Sequence, residues 1–289
     1  LKNEYESIIK FCFCRIFFCW IFYFLGLCIY MSQYKNVLLG KNLFSMDWKM
    51  AINKIRKENV VTCDFNKLDQ VKKTIEEKNI KYIIPLSKQD YQIIKKYDLN
   101  IKILHPSDEI HELLDNKNIF TDYMLKKYPE YIPEVYYLDN IKLKEIKYPA
   151  ISKPIYSTNG SDMVIIHNKE DYLKLNNNNN NIQKFIEDRY EYGAYILCID
   201  GNIINQKIIR FRYQKYYIKK GNFARNHEKV TDLKTDIFEK IVRDLNYSGG
   251  MCINFKIDEA GNLYIFEINP RFGGSAFWNN FIYELLCIE

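Results

Sequence analysis

Histidine is scarce in this sequence, at four in 289 residues, and the eight cysteines at 12, 14, 19, 28, 63, 198, 252 and 287 include no C-x-x-C pair. Zinc sites and disulfide frameworks need ligand spacings that are absent here, so the cysteines read as reduced thiols. Four scattered histidines also give no footing for a Ser-His-Asp or Cys-His nucleophile. Only Gly40 punctuates the first strand-like run, and no G-x-G-x-x-G follows it, which excludes the close pyrophosphate approach of a dinucleotide site. The 42 Lys and Arg against 36 Asp and Glu leave a net +6 with no run of like charge, so there is no nucleic-acid arm. What is present is a 47% hydrophobic chain, long enough for a full core in one large domain or two small ones.

The one long apolar run, Phe11 to Tyr30, is broken only by Arg15. It is long enough to cross a bilayer as a helix. The chain begins at Leu1, whereas Met31 is followed by a polar stretch and the strand-like Asn36-Val37-Leu38-Leu39-Gly40. Three readings stand: residues 1–30 are a hydrophobic extension arising as a reading-frame artefact or fragment, with Met31 the true start; they are a membrane anchor; or they are a cleaved signal. The expectation is a cytoplasmic protein, with membrane association only if residues 11–30 form an anchor.

From Met31 onward short apolar runs alternate with helical spacing: Val37 to Leu39, Trp48 to Ile55, Val60 to Phe65, Leu68 to Ile75, Tyr82 to Leu86, then Ile101 to Leu104. Strand and helix in that order predict a parallel sheet with crossover helices. A second unit begins near Ser107, with helices through Leu114 and from Lys117 to Lys127 that stop ahead of Pro129 and Pro133. Ala150-Ile151-Ser152-Lys153 and Met163 to Ile166 read as a hairpin around the polar turn Ser157 to Ser161, and the asparagines 176–181 as an exposed loop. A strand from Ala194 to Ile199 turns through Asp200-Gly201-Asn202 into Ile203 to Ile209. Arg210 to His227 reads as a mobile basic loop, and Val230 to Leu245 as a helix.

The last hairpin carries the chemistry. It runs Met251 to Asp258, turns through Glu259-Ala260-Gly261-Asn262, and returns from Leu263 to Asn269. With a four-residue loop Asp258 pairs with Leu263, and counting back places Asn254 opposite Glu267. Period-2 alternation puts Glu267 and Asn269 on one face. Three side-chain oxygens converging there suit Mg²⁺, a hard cation that completes its shell from water and phosphates. Arg271 could grip a phosphoryl group bidentately, and Gly273 and Gly274 would let backbone approach it. Read alone, these residues also describe a polar hairpin end.

Their order along the chain adds to that reading. Phe266-Glu267-Ile268-Asn269-Pro270-Arg271-Phe272-Gly273-Gly274-Ser275 resembles the closing motif of the ATP-grasp superfamily, in the branch similar to carbamoyl phosphate synthetase, biotin carboxylase and amino-acid ligases. Asp115-Asn116-Lys117 resembles the helix start whose basic residue reaches the phosphates, with one residue inserted. Pro149-Ala150-Ile151-Ser152-Lys153 resembles the strand lysine that holds the α/β-phosphates, and Ser157 to Ser161 the flap over the triphosphate. Ile182 to Glu191 resembles the inter-lobe hinge, although family members usually carry an acid where Lys184 stands.

The resemblance implies an α/β fold: an N-terminal parallel-sheet (pre-ATP-grasp) domain at 31–106, followed by an α+β ATP-grasp domain of two lobes at 107–289. The small lobe is expected at 148–186 and the C-terminal lobe at 187–289, with truncation left open. It implies ATP and two Mg²⁺ ions, or Mn²⁺, as cofactors. Lys117, Lys153, Ser157, Gly160, Ser161, Lys184, Phe185, Ile186 and Glu191 would hold the nucleotide. Asn254, Glu267 and Asn269 would hold metal; Arg271, Lys153 and Arg225 would serve catalysis. The implied reaction is ATP-dependent ligation of a carboxylate to an amine or thiol through an acyl phosphate. Alternatives are phosphorylation of bicarbonate or another small acid, an inactive nucleotide-binding module, and a membrane-tethered binding protein. Small carboxylates and amines are the expected partners, with no nucleic acid and a homodimer as an option. Arg210, Arg212, Lys215, Arg225, Asn226 and His227, a stretch whose basic groups could hold a carboxylate, are the candidates for setting substrate identity.

Overall fold

The computed structural model describes residues 37–40, 61–136, 146–156, 162–175, 180–213, 226–276, 282, 285 and 286. The Phe11 to Tyr30 run and the helix expected at Trp48 to Ile55 lie outside them. Among the described residues no helix is long and apolar enough to cross a membrane.

The first sheet is parallel, built from β1 (Val37–Gly40), β2 (Val61–Cys63), β3 (Tyr82–Ile84) and β4 (Lys102–Ile103) in the order β2-β1-β3-β4. Helices α1 (Leu68–Lys78) and α2 (Lys88–Ile94) lie between strands. Both faces are apolar, as parallel sheets require. Leu38, Ile83 and Cys63 pack with Phe65, Val71 and Ile94, while Val37, Leu39 and Ile84 turn toward the rest of the molecule.

Helices α3 (Asp108–Asp115) and α4 (Lys117–Lys127) follow, each opened by a capping side chain: Ser107 Oγ accepts from Ile110 N, and Asn116 Oδ1 accepts from Asn118 N and Ile119 N. A four-stranded antiparallel sheet then forms from β5 (Val135–Tyr136), β6 (Ala150–Pro154), β7 (Val164–Ile166) and β8 (Asn180–Lys184), ordered β5-β8-β6-β7, with α5 (Lys169–Leu173) after β7. The end of the asparagine run is therefore strand: Asn180 and Asn181 belong to β8, and Asn181 is buried with its amide donating to Thr121 Oγ1 and Asn118 Oδ1. Composition made the run look like a loop, but a buried hydrogen-bond partner on α4 holds its last residues in the sheet.

The largest sheet has five antiparallel strands, β9 (Tyr190–Ile199), β10 (Asn202–Arg212), β11 (Asn226–Val230), β12 (Gly249–Ile257) and β13 (Leu263–Asn269), ordered β11-β10-β9-β12-β13. The β9 to β10 turn puts Asp200 (φ 49) and Gly201 (φ 75) in the left-handed region, the geometry of a tight hairpin. Two expectations change here. The basic stretch from Arg210 extends β10 to Arg212 and ends in β11, and helix α6 (Asp236–Asp244) starts well after Val230. Cross-strand pairing overrides local composition in both.

One face of this sheet carries Tyr192, Ala194, Ile196, Met251, Ile253 and Phe255 against Phe120 and Met124 of α4 and Phe238 and Ile241 of α6. Phe255 is fully buried, stacked on Tyr192 at 5.1 Å between ring centroids and edge-on to Phe238 at 5.3 Å. Phe255→Ala is expected to lower the unfolding free energy in urea titration by about 3–5 kcal/mol, the transfer term plus the cavity left behind. A loss below about 1 kcal/mol would show that the neighbours collapse into the space. The other face packs Tyr195, Leu197, Ile209, Phe211 and Cys252 against Val37, Leu39 and Ile84 of the parallel sheet.

Candidate active site

The β12 to β13 hairpin meets expectation at the site by a different route. Ile257 pairs with Leu263, so the loop spans the five residues 258–262, and Asp258 Oδ1 accepts from Ala260 N and Asn262 N to close it. A bulge then leaves Phe266 without a partner, and from there Asn254 pairs with Glu267 and Cys252 with Asn269. The longer loop and the bulge cancel. The bulge is also why Ile265 and Ile268, three apart, both reach the core while Glu267 and Asn269 share the opposite face.

That face assembles the candidate residues. Asn254 Nδ2 donates to Glu267 Oε2 at 2.6 Å, and Asn269 Nδ2 donates to the same oxygen at 3.1 Å. Asn254 Oδ1 accepts from Cys252 Sγ at 3.4 Å. Lys117, the first residue of α4, is buried, with Nζ 3.7 Å from Glu267 Oε1. Its backbone N–H donates to Ile155 O, which ties the helix start to the end of β6. Arg271 Nη1 lies 3.7 Å from Asp115 Oδ1.

Lys153 reaches the same place from the small sheet. Its Nζ donates to Gln183 Oε1 at 2.5 Å and to Phe266 O at 3.4 Å, and sits 5.7 Å from the centre of the Phe266 ring. Burial pushes its ammonium down to about 7, with Glu267 opposing the shift and Lys117 adding to it. Gln183 in turn donates to Thr121 Oγ1. A lysine on a solvated strand would show none of this; Lys153 is buried beside a neutral amide, where a cation is costly until an anion arrives.

The hinge segment is partly committed to the small sheet: Lys184 N donates to Glu134 O and Phe185 N to Pro149 O. The Lys184 side chain is exposed, while Phe185 and Ile186 are buried. Glu191 is buried on β9, and register places it on the face of Gly193, which pairs with Asn254. Gly273 is explained by packing, since a Cβ there would meet Tyr195 Cε1 at 3.1 Å and Cys252 Sγ at 3.2 Å; Gly274 has open space around it. Ser157, Gly160, Ser161, Lys215 and Arg225 lie outside the described residues.

The basic residues expected to hold substrate are not all brought here. Arg210 and Arg212 alternate with Ile209 and Phe211 and so project from the opposite face of the sheet. Arg210 Nε donates to Glu228 Oε1 at 2.6 Å, and its guanidinium lies over the Tyr190 ring. Asn226 and His227 open β11 at the far edge from β13, four strand spacings or ~19 Å away. A sequence scan shows the residue types but not which face and edge receive them.

Two residues were missed. Gln183 supplies the acceptor for Lys153, and period-2 pairing with Ile151 of β6 would have placed it beside that lysine. Lys256, two residues beyond Asn254 on the same face, is buried and pushed down to about 8 by burial, with Asp188 and Glu187 opposing.

Among the described residues no group of three or more His, Cys, Asp or Glu could hold a metal. The candidate set is one carboxylate and two amides. It suits a hard, oxygen-seeking cation once each amide presents its oxygen, and it does not suit a soft metal.

Comparison with known proteins bears on the whole arrangement. The family model described as ATP-grasp domain matches residues 116–275. The arginine-specific large chain of carbamoyl phosphate synthase from Bacillus subtilis is 28% identical over 140 residues, covering 45% of this chain but only 14% of that protein. In structure, N5-carboxyaminoimidazole synthetase from Staphylococcus aureus, solved with ADP, superposes with a TM-score of 0.55 at 12% identity, over 88% of this chain and 77% of that one. Biotin carboxylase from Campylobacter jejuni, solved as a beta-gamma-ATP complex, gives 0.54 at 15% identity over 86% and 67%. The described parallel and antiparallel sheets have the fold of these enzymes, and the family match runs from the start of α4 through Glu267 to Ser275: the chain belongs to the ATP-grasp family.

Proposed function

We propose that the chain uses ATP to activate a carboxylate and passes the activated acyl group to an amine or a thiol. The observation that carries this reading is the gathering of Lys117, Lys153 and Arg271, two of them buried, around Glu267 and Asp115. Three basic side chains face two carboxylates, and an incoming triphosphate supplies the negative charge that favours the charged form of Lys153. A carboxylate oxygen of the substrate attacks the γ-phosphorus as ADP leaves. The amine then attacks the acyl carbon and inorganic phosphate departs. The protein's part is alignment and charge neutralisation, with no nucleophilic side chain needed. Lys153 and Lys117 hold phosphoryl oxygens, Arg271 binds the transferring group, the backbone at Lys184 to Ile186 receives the base, and Glu191 accepts from the ribose. Ser157, Gly160 and Ser161 cover the phosphates, and Arg225 holds the acceptor. Residues 31–106 and 107–289 are read as the two domains.

Asn254, Glu267 and Asn269 would hold Mg²⁺, which when bound neutralises phosphate charge and orients the γ-phosphoryl group. Asn254 now points its amide nitrogen at Glu267 and its oxygen at Cys252, so the amide must turn over to serve a cation. A high Mg²⁺ requirement is expected because Asn254 offers a short, neutral amide as a ligand, and Asn254→Asp should lower the half-saturating concentration ~10-fold by adding a charge. Saturation of the unaltered protein at very low metal would remove Asn254 from the set.

The test is a screen of carboxylic acids, bicarbonate included, with amines and thiols, read as ADP formation with Glu267→Gln as control. ADP release with bicarbonate alone would favour a second reading, phosphorylation of a small acid, which the carbamoyl phosphate synthase relative supports. Tight ATP binding without ADP under any acceptor would overturn both in favour of a nucleotide-binding module.

A further inference from the structure

Lys256 occupies a position where a sheet in contact with its core would ordinarily carry an apolar residue, and an ammonium there is costly unless hydrogen-bonded. Its neighbours Phe255 and Ile253 point the other way, into the core shared with α4 and α6. Lys256 Nζ donates to Ile186 O at 3.0 Å and to Asp188 O at 2.9 Å, and lies 5.0 Å from the centre of the Phe185 ring.

Those carbonyls belong to residues 185–189, the link between β8 of the small sheet and β9 of the large one. The two ends of the link are tied by backbone: Lys184 N to Glu134 O and Phe185 N to Pro149 O on one side, Tyr213 N to Arg189 O on the other. Between them the strand ladders stop, and Lys256 ties down the carbonyls at 186 and 188. Backbone carbonyls without a ladder partner need such a donor when buried.

We infer that Lys256 is a positioning residue for nucleotide recognition: it fixes the β8 to β9 link so that the backbone at 184–186 is preformed to receive the base. The inference rests on the ATP reading above. It assigns Lys256 to the base and not to the phosphates, since its two hydrogen bonds both go to the link.

The experiment compares wild type, Lys256→Met and Lys256→Arg by calorimetric binding of ADP and of inorganic tripolyphosphate, with hydrogen exchange of the link amides in the absence of ligand. In Lys256→Met, which removes both hydrogen bonds to the link, exchange at 186–189 should accelerate and ADP binding should weaken at least ~10-fold, the scale of a single charge-assisted hydrogen bond, while tripolyphosphate binding holds. Lys256→Arg, which keeps a cationic donor, should recover part of the ADP affinity. Equal loss of ADP and tripolyphosphate binding in both variants would mean a general folding role and overturn the inference, as would unchanged ADP affinity with faster link exchange. If wild type binds neither probe, the ATP reading itself falls, and the exchange result then reports the anchoring alone.

Discussion

Glu267→Gln is expected to lower ADP formation ~10²–10³-fold, the scale seen when one preorganised electrostatic contact to a reacting group is removed. The shape of the side chain survives, and the Gln carbonyl can still accept from Asn254 and Asn269, which now share Oε2. What disappears is the only carboxylate in the candidate metal set and the partner of the Lys117 ammonium. The defect should therefore fall on metal-dependent turnover. Metal-free ADP binding should hold or improve, because Lys117 and Lys153 then face the phosphates with less competition. Turnover close to wild type would end the metal assignment, and loss of metal-free ADP binding would assign Glu267 to the fold.

Lys153→Met separates binding from stability. Removing the buried ammonium relieves its desolvation cost, while Gln183 Oε1 loses its donor; the two terms oppose each other, so thermal unfolding should move little. ATP affinity should fall ~30-fold or more, the scale of a lost buried charge contact. The pH dependence follows from the depressed ammonium. The folded group titrates at about 7, against 10.5 for an ordinary lysine. Between those values the unfolded chain holds a proton that the folded protein lacks, so this group's contribution to stability rises with pH across the window. Triphosphate restores the charged form, so binding above pH 7 takes up a proton and affinity declines as pH rises. Calorimetry in buffers of different ionisation heat should detect that uptake in wild type and not in Lys153→Met; equal uptake in both would assign the proton elsewhere.

The candidate site was legible in the sequence to the extent that alternation and order along the chain govern it. Asn254 opposite Glu267 could be counted from a hairpin, and Lys117, Lys153 and Glu191 stand in family order. The count succeeded although its loop was one residue short, because the bulge at Phe266 restores the register. Neither deviation leaves a compositional mark. Arg210 shows the opposite failure: charge within a loop-like stretch suggested a substrate contact, yet strand pairing with Tyr192 and Glu228 turns it to the other face.

By itself the sequence determined the family, the parallel and antiparallel halves of the fold, and the side chains that suit a triphosphate and a hard cation. The fold halves follow from residue type and period, which act over a few neighbours; the family and the candidate side chains follow from the resemblance of the motifs and their order along the chain. Only the tertiary structure decided that Lys153 is buried against Gln183, that Asn254 holds its amide nitrogen toward Glu267, and that Lys256 clamps the link at 186 and 188. Each depends on groups brought together from distant parts of the chain, and burial, which sets the cost of each charge, exists only once the sheets have packed.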